Sequence, residues 1–354
     1  MYLPDRFLVL EDGTIIGGNG FGHDSECYGE IVFTTAMTGY LESITDPSYR
    51  GQILVFASST IGNYPLIKGI MESDRAQVRA VITKDAHSIL FSGDSGTQLD
   101  RFLKDNRVPG IDGVDTRLLV KKIREHGSMK AYILDSPVIP HSWPDPMSSD
   151  LVAEVSTRKP YSIARGGKRN ILYIDVGTKR SLLANVSEIF SLEVVPYNTE
   201  FNDLEKDYEA IFVSNGPGDP AHPSLGNVAE FLKMNSGRLP IFGVCLGHQL
   251  LALSAGGRTV KMKFGHRGTN HAVFDGKNIF ITSHNHGYAV DPESLASTSL
   301  NAGQWDVNDG TVEMLYDHKN CRYSLQYHPE GSPGPRDYSE FYSLMYRVVE
   351  EYYA

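Results

Sequence analysis

Along the first 150 positions, short apolar runs alternate with glycines and turn residues. Residues 7–10, a turn at Glu11-Asp12-Gly13 and residues 14–16 predict a hairpin, and 30–34, 52–57 and 80–83 predict further strands. Helices are predicted only late in this half, over 97–106 and 116–126. The second has Asp115 as its cap, Leu119 and Ile123 one turn apart on the same face, and Gly127 just past its end. Residues 1–150 therefore read as a β-rich mixed α/β domain.

The pattern changes over 151–169. There the run STRKPYSIARGGKR is polar and basic with no sustained apolar period, which predicts an exposed linker. From 170 to 354 strands and helices alternate. A continuous apolar strand over 171–175 precedes a helix over 179–190 with Leu182, Val186 and Ile189 on one stripe. Strands over 192–195 and 210–214, a helix over 224–233 and a strand over 241–244 follow. This alternation predicts an α/β domain whose mostly parallel sheet carries helices on both faces. A last strand over 323–327 leads into HPEGSPGP and a final helix from about 337.

Composition narrows the function. A chain of 354 residues is too long for one ordinary core. Its net charge of -10 and the lack of a long basic run disfavour nucleic acid and anionic membrane as partners. No apolar run approaches the roughly 20 residues of a membrane span. Three cysteines, an odd number without CxxC spacing, point to free thiols in the cytoplasm.

The sharpest chemical signal is Gly243-Val244-Cys245-Leu246-Gly247, a strand ending in Gly-x-Cys-x-Gly and opening an apolar helix. Small residues flanking a nucleophile permit the strained turn that presents it above a sheet, and a helix N-terminus favours the thiolate that attacks carbonyls. The Leu246 N–H is positioned to meet a developing oxyanion. A cysteine nucleophile needs a base and a group that orients it. His328 and Glu330, two apart around Pro329 at the end of a strand, can face one site together. The rigid loop Ser214-Asn215-Gly216-Pro217-Gly218-Asp219-Pro220 follows another strand, and its Gly218 N–H is expected to pair with that of Leu246 as a second oxyanion donor.

The set SNGPGDP, GVCLGHQLLAL, KMKFGHRGTNH, ITSHNHGYAV and HPEGSPGP, in that order, resembles class I, triad-type glutamine amidotransferases, in particular the family of carbamoyl-phosphate synthase small subunits. In the first half LEDGTIIGG, TTAMTGYLESITDPSYRGQI, IGNY and GIDGVDTRLLVKKIREHGSMK are similar to that family too. The resemblance implies Cys245 as nucleophile, His328 as acid and base, and Glu330 as the orienting carboxylate. It implies glutamine contacts at Ser48, Gly216, Gly218, Leu246, Gln249, Asn285, Gly287 and Tyr288. His284 and Tyr288 stand where the family leads one to expect Gln and Phe, and Gly331 where Ala is usual.

By the same resemblance the chain would hydrolyse L-glutamine through a cysteinyl thioester. It would pass ammonia to a separate large subunit for carbamoyl phosphate synthesis, serving pyrimidine and arginine biosynthesis, with the first domain contacting that partner. ATP and Mg are then expected on the large subunit only, because this chain has no GxxxxGK[ST] loop. No metal is expected either, since HExxH is absent and His284 and His286 show no third and fourth ligand along the sequence. The basic run KMKFGHRG reads either as a solvated strand edge or as a docking surface.

Overall fold

A computed structural model describes residues 4–86, 98–165, 167–201, 204 and 207–354. The chain forms two compact units. The first comprises Met1–Ser149 with Lys263–Gly268, and the second Asp150–Met262 with Thr269–Ala354. Among the described residues no helix is long and apolar enough to cross a membrane.

In the first unit seven strands close into a barrel. They are β1 (Arg6–Leu10), β2 (Ile15–Gly22), β3 (Cys27–Thr34), β4 (Gln52–Phe56), β5 (Ala80–Ile82), β6 (Pro109–Asp112) and β7 (Met129–Leu134), in the order β1-β2-β6-β5-β4-β3-β7. The expected hairpin pairs β1 with β2, and Leu10 N–H donates to Thr14 O at 2.9 Å across its turn. Alternation sorts the side chains. Leu8, Leu10, Ile31, Ile53, Val55 and Ile82 join one apolar cluster, while Val32, Leu54, Phe56 and Val81 join another. Strands β3 and β4 are thus buried on both faces, which explains their unbroken apolar runs.

Helices α1 (Tyr40–Thr45) and α2 (Gln98–Asp105) contribute Leu41, Ile44, Leu99 and Leu103 to the second of these clusters. The first residue of the helix expected over 97–106 lies outside the described residues. Helix α3 (Thr116–His126) has the expected ends: Asp115 accepts the Leu118 N–H, and Gly127, at φ 102°, donates to Ile123 O.

Apart from Lys263–Gly268 in the middle of one strand, a ten-stranded sheet belongs to the second unit. Its strands are β8 (Tyr161–Ile163), β9 (Asn170–Asp175), β10 (Ser191–Pro196), β11 (Ala210–Val213), β12 (Ile241–Val244), β13 (Thr259–Phe274), β14 (Ile279–Val290), β15 (Asn301–Asp306), β16 (Val312–Asp317) and β17 (Arg322–Leu325). Their order is β14-β13-β15-β16-β17-β12-β11-β9-β10-β8. Strands β10, β9, β11, β12 and β17 run parallel, and β16, β15 and β8 pair antiparallel at the flanks. Two apolar clusters contain the helices. Helices α5 (Gly226–Asn235) and α6 (Leu246–Ser254) enter one, and α4 (Arg180–Ile189) and α7 (Glu340–Tyr352) the other.

Two expectations are corrected. The stretch 151–169 is no free linker: Leu151 and Val152 are buried, Val152 in the core of the second unit, and Tyr161–Ile163 adds strand β8 to the sheet edge beside β10. Its polar side chains hid this because a short edge strand is stabilised by backbone pairing, which sequence polarity does not report. The run KMKFGHRG is not a uniformly solvated edge either. His266 and Arg267 are buried, and Arg267 donates to Phe264 O at 2.7 Å.

Candidate active site

Strands β12 and β17 lie side by side, Val244 opposite Leu325. Cys245 follows, its N–H donating to Leu325 O at 2.8 Å, and there the chain turns sharply. Cys245 takes φ 56°, ψ -103°, a conformation that costs a side-chain-bearing residue roughly 1–3 kcal/mol. Helix α6 begins at the next residue. The flanking glycines are required by contact: a Cβ on Gly243 would lie 2.6 Å from the Gly247 carbonyl group, and one on Gly247 would strike Val213 O. Gly247→Ala should therefore destabilise the second unit by roughly 1–3 kcal/mol through backbone displacement. Thermal unfolding of the purified variant checks this, and an unchanged midpoint would contradict the required contact.

The sulfur is not presented openly as the elbow motif suggests. Cys245 is 2% exposed, and Sγ lies 3.6 Å from Asn285 O on β14. It therefore sits at the carboxyl edge of the parallel strands but under a neighbouring strand.

His328 follows β17 and is held by its backbone, its N–H donating to Ser283 O at 2.9 Å. Its Nδ1 lies 2.7 Å from Glu330 Oε1. A carboxylate only accepts, so Nδ1 carries the proton and Nε2 is the reactive nitrogen. Among the described residues Nε2 has no partner of ordinary hydrogen-bond geometry, although the Cys245 sulfur is close enough to help stabilise the charged ring. Burial works against that charge, but the Glu330 carboxylate overcomes it, and the pKa of His328 is pushed up to about 10.

Glu330 is fully buried and has a second partner absent from the sequence reading. Lys179 Nζ lies 2.9 Å from Glu330 Oε1, with both side chains at most 3% exposed. Burial opposes the carboxylate charge, while Lys179 and then His328 hold Glu330 well below the usual carboxylate range. Lys179 stands at the start of α4 at the carboxyl end of β9. Its N–H donates to Asn215 Oδ1 at 3.0 Å, and Asn215 Nδ2 donates to Gly177 O at 3.1 Å. The rigid SNGPGDP loop thus clamps the loop that delivers the lysine. The available signal was position alone, since a lysine just past an apolar strand ordinarily reads as a solvated helix start.

The other expected residues take definite places. Gly216 allows close approach, as a Cβ there would strike Val176 O and the Leu246 side chain, and Gly218 has φ 91°. Gln249 Nε2 donates to Tyr288 O at 2.7 Å and to Gln326 Oε1 at 3.0 Å. Its two amide protons are committed, so only Oε1 remains to accept from an ammonium group. Asn285, Gly287 and Tyr288 share strand β14, and Leu246 is buried at the start of α6. Ser48 belongs to the first unit, in a turn where Asp46 accepts its N–H at 2.8 Å. His248, next to the elbow, is a core residue. Its Nδ1 lies 3.0 Å from Ser324 Oγ, and burial pushes its pKa down to about 3.

Comparison with known proteins places these features in context. Residues 8–133 match the family described as carbamoyl-phosphate synthase small chain, CPSase domain, and residues 172–347 match glutamine amidotransferase class-I. The chain is 54% identical over 347 residues to the carbamoyl phosphate synthase small chain of Thermoplasma acidophilum, covering 98% of each chain. It is 41% identical to the corresponding small chain of Caldanaerobacter subterraneus, covering 98% of this chain and 97% of that one. It is equally similar to the pyrimidine-specific small chain of Halalkalibacterium halodurans, with the same coverage.

Proposed function

The chain belongs to the carbamoyl phosphate synthase small-chain family, and from that premise we propose how its residues carry the glutamine-hydrolysing role of that subunit. The observation that carries the reading is the buried Cys245, with a doubly held imidazole–carboxylate pair on the adjoining strand end.

The attacking species in cysteine chemistry is a thiolate, and a protonated His328 is the counter-ion it needs. The Cys245 sulfur bonds to the side-chain amide carbon of glutamine, and the Leu246 and Gly218 N–H groups hold the oxyanion. As the carbon–nitrogen bond breaks, imidazolium Nε2 gives its proton to the leaving nitrogen and ammonia departs, leaving a thioester. Water then attacks the thioester and passes a proton to the now neutral imidazole. The carbon–sulfur bond breaks, glutamate is released and the thiolate returns. Gln249 Oε1 receives the substrate ammonium group, and Gly216, Asn285, Gly287 and Tyr288 supply further glutamine contacts.

No step needs a cofactor in this chain. The ammonia passes to a large subunit that binds ATP and Mg and makes carbamoyl phosphate, for pyrimidine and arginine biosynthesis. The first unit is the surface proposed to meet that subunit. A cytoplasmic location is supported by the cysteines, all three of which are free thiols.

Copurification with the large subunit, followed by measurement of glutamate release with and without ATP and bicarbonate, tests this assignment. Glutamate release should rise with both present and match carbamoyl phosphate formed. Full glutamine turnover by the isolated chain, indifferent to the large subunit, would instead identify a freestanding glutaminase.

A further inference from the structure

Beside the candidate active site, a row of polar groups crosses the second unit with too few protons. Thr282 Oγ1 lies 3.1 Å from His271 O and 2.7 Å from His284 Nε2. His284 Nδ1 lies 3.2 Å from His286 Nε2, and His286 Nδ1 lies 2.9 Å from Tyr288 O. Both ends of the row are carbonyl oxygens, which only accept. A threonine hydroxyl and two neutral imidazoles bring three protons to these four contacts. With the outer contacts made, His284 Nδ1 and His286 Nε2 turn lone pairs toward each other.

A positive species between those nitrogens resolves the conflict, and its anionic counterpart is present. Glu313 Oε2 lies 3.7 Å from His284 Nδ1, and its side chain is fully buried. The donor atoms of His284, His286 and Glu313 all lie within 4.8 Å of one another. Two nitrogens bound to one tetrahedral zinc at about 2.05 Å stand roughly 3.3 Å apart, close to the separation found here. Each ring's outer nitrogen also meets a hydroxyl or a carbonyl, the arrangement that orients a metal-ligating histidine.

We propose that His284, His286 and Glu313 form a buried site for a divalent transition metal of the zinc class. Two imidazoles and one carboxylate supply three donors, leaving a fourth position for water or another donor. The site is structural. It ties β14, which carries Asn285, Gly287 and Tyr288, to β16, and no step of glutamine hydrolysis passes through it. Along the sequence the two histidines lacked a third ligand, because it comes from a strand 27 residues beyond His286 (313 minus 286).

The test uses the full chain, expressed with zinc in the medium and assayed for bound metal after gel filtration. About one zinc per chain is expected, with a melting temperature that falls on treatment with a chelator and recovers with added zinc. His284→Gln, which removes an imidazole lone pair, and Glu313→Gln, which removes the charge, should each lower zinc affinity at least about tenfold. Cobalt substitution should give the visible absorption of a tetrahedral site in the wild-type chain and not in His284→Gln. A wild-type chain with no stoichiometric zinc and no zinc-dependent melting shift overturns the proposal, since the histidine pair then shares a proton only. So does zinc retained at full affinity by both variants, which would place it elsewhere.

Discussion

Replacing Cys245 with serine should lower glutamine hydrolysis at least 10³-fold, since removing one member of a nucleophile–base set costs about as much as removing the set. The substitution is sterically mild. Serine keeps the Cβ that already sits at φ 56°, and its hydroxyl can donate to Asn285 O as the thiol does. What is lost is the polarisable sulfur nucleophile, which a hydroxyl beside an already protonated imidazole cannot replace. The complex of this variant with the large subunit should still make carbamoyl phosphate from added ammonia. The measurement is glutamate release against ammonia-dependent synthesis on the same preparation. Wild-type glutamine turnover in Cys245→Ser would remove Cys245 from the reaction altogether.

The second large effect concerns Glu330. Glu330→Ala leaves Lys179 as a buried ammonium without its carboxylate, a loss of about 3–5 kcal/mol. For a unit of this size that corresponds to a fall of roughly 10 °C in the melting midpoint. Lys179→Met should cost a similar amount, because it strips the carboxylate of its first charge partner. The double variant Lys179→Met with Glu330→Ala should cost clearly less than the sum of the two singles, which a double-mutant cycle on thermal unfolding detects. Additive losses would mean that the two side chains do not act as a pair.

The same charges set a pH dependence. Glu330 has a lowered pKa in the folded chain, so its contribution is present above the ordinary carboxylate value and is lost as pH falls below it. His328 has a raised pKa, so its contribution is full below about 6.5 and is lost as pH rises through about 10. Both contributions are complete only between roughly pH 5 and 6.5. Lys179 opposes the imidazolium charge, so Lys179→Met should move the alkaline limb of kcat/KM upward. A limb that stays in place would separate the lysine from the reacting imidazole.

Legibility followed the range of the interactions. The elbow was readable because glycine, cysteine and glycine act on a single turn, although the atom that a Cβ on Gly247 would strike, Val213 O, belongs to another strand. The ends of α3 were readable for the same reason, each depending on one neighbouring side chain or one glycine. Lys179 was not readable, because its role depends on a carboxylate 151 positions away (330 minus 179) and on an asparagine in a third loop. Strands β13 to β16 were passed over as elements. Residues 259–264 alternate polar with apolar, a period of two that was available for β13, whereas the pairing of β15 with β16 is interrupted by register shifts that blur its period.

By itself the amino-acid order determined the alternation of strands and helices, the turn that carries Cys245, and the presence of a histidine and a glutamate spaced to act together. Those features arise from local sterics and hydrogen bonding, which a short stretch of chain specifies. Tertiary structure alone decided the closure of the barrel, the burial of the sulfur, the lysine beneath Glu330 and the meeting of His284, His286 and Glu313. Each of these depends on which strands become neighbours, and the desolvation that gives buried charges and lone pairs their strength exists only once that pairing has excluded water.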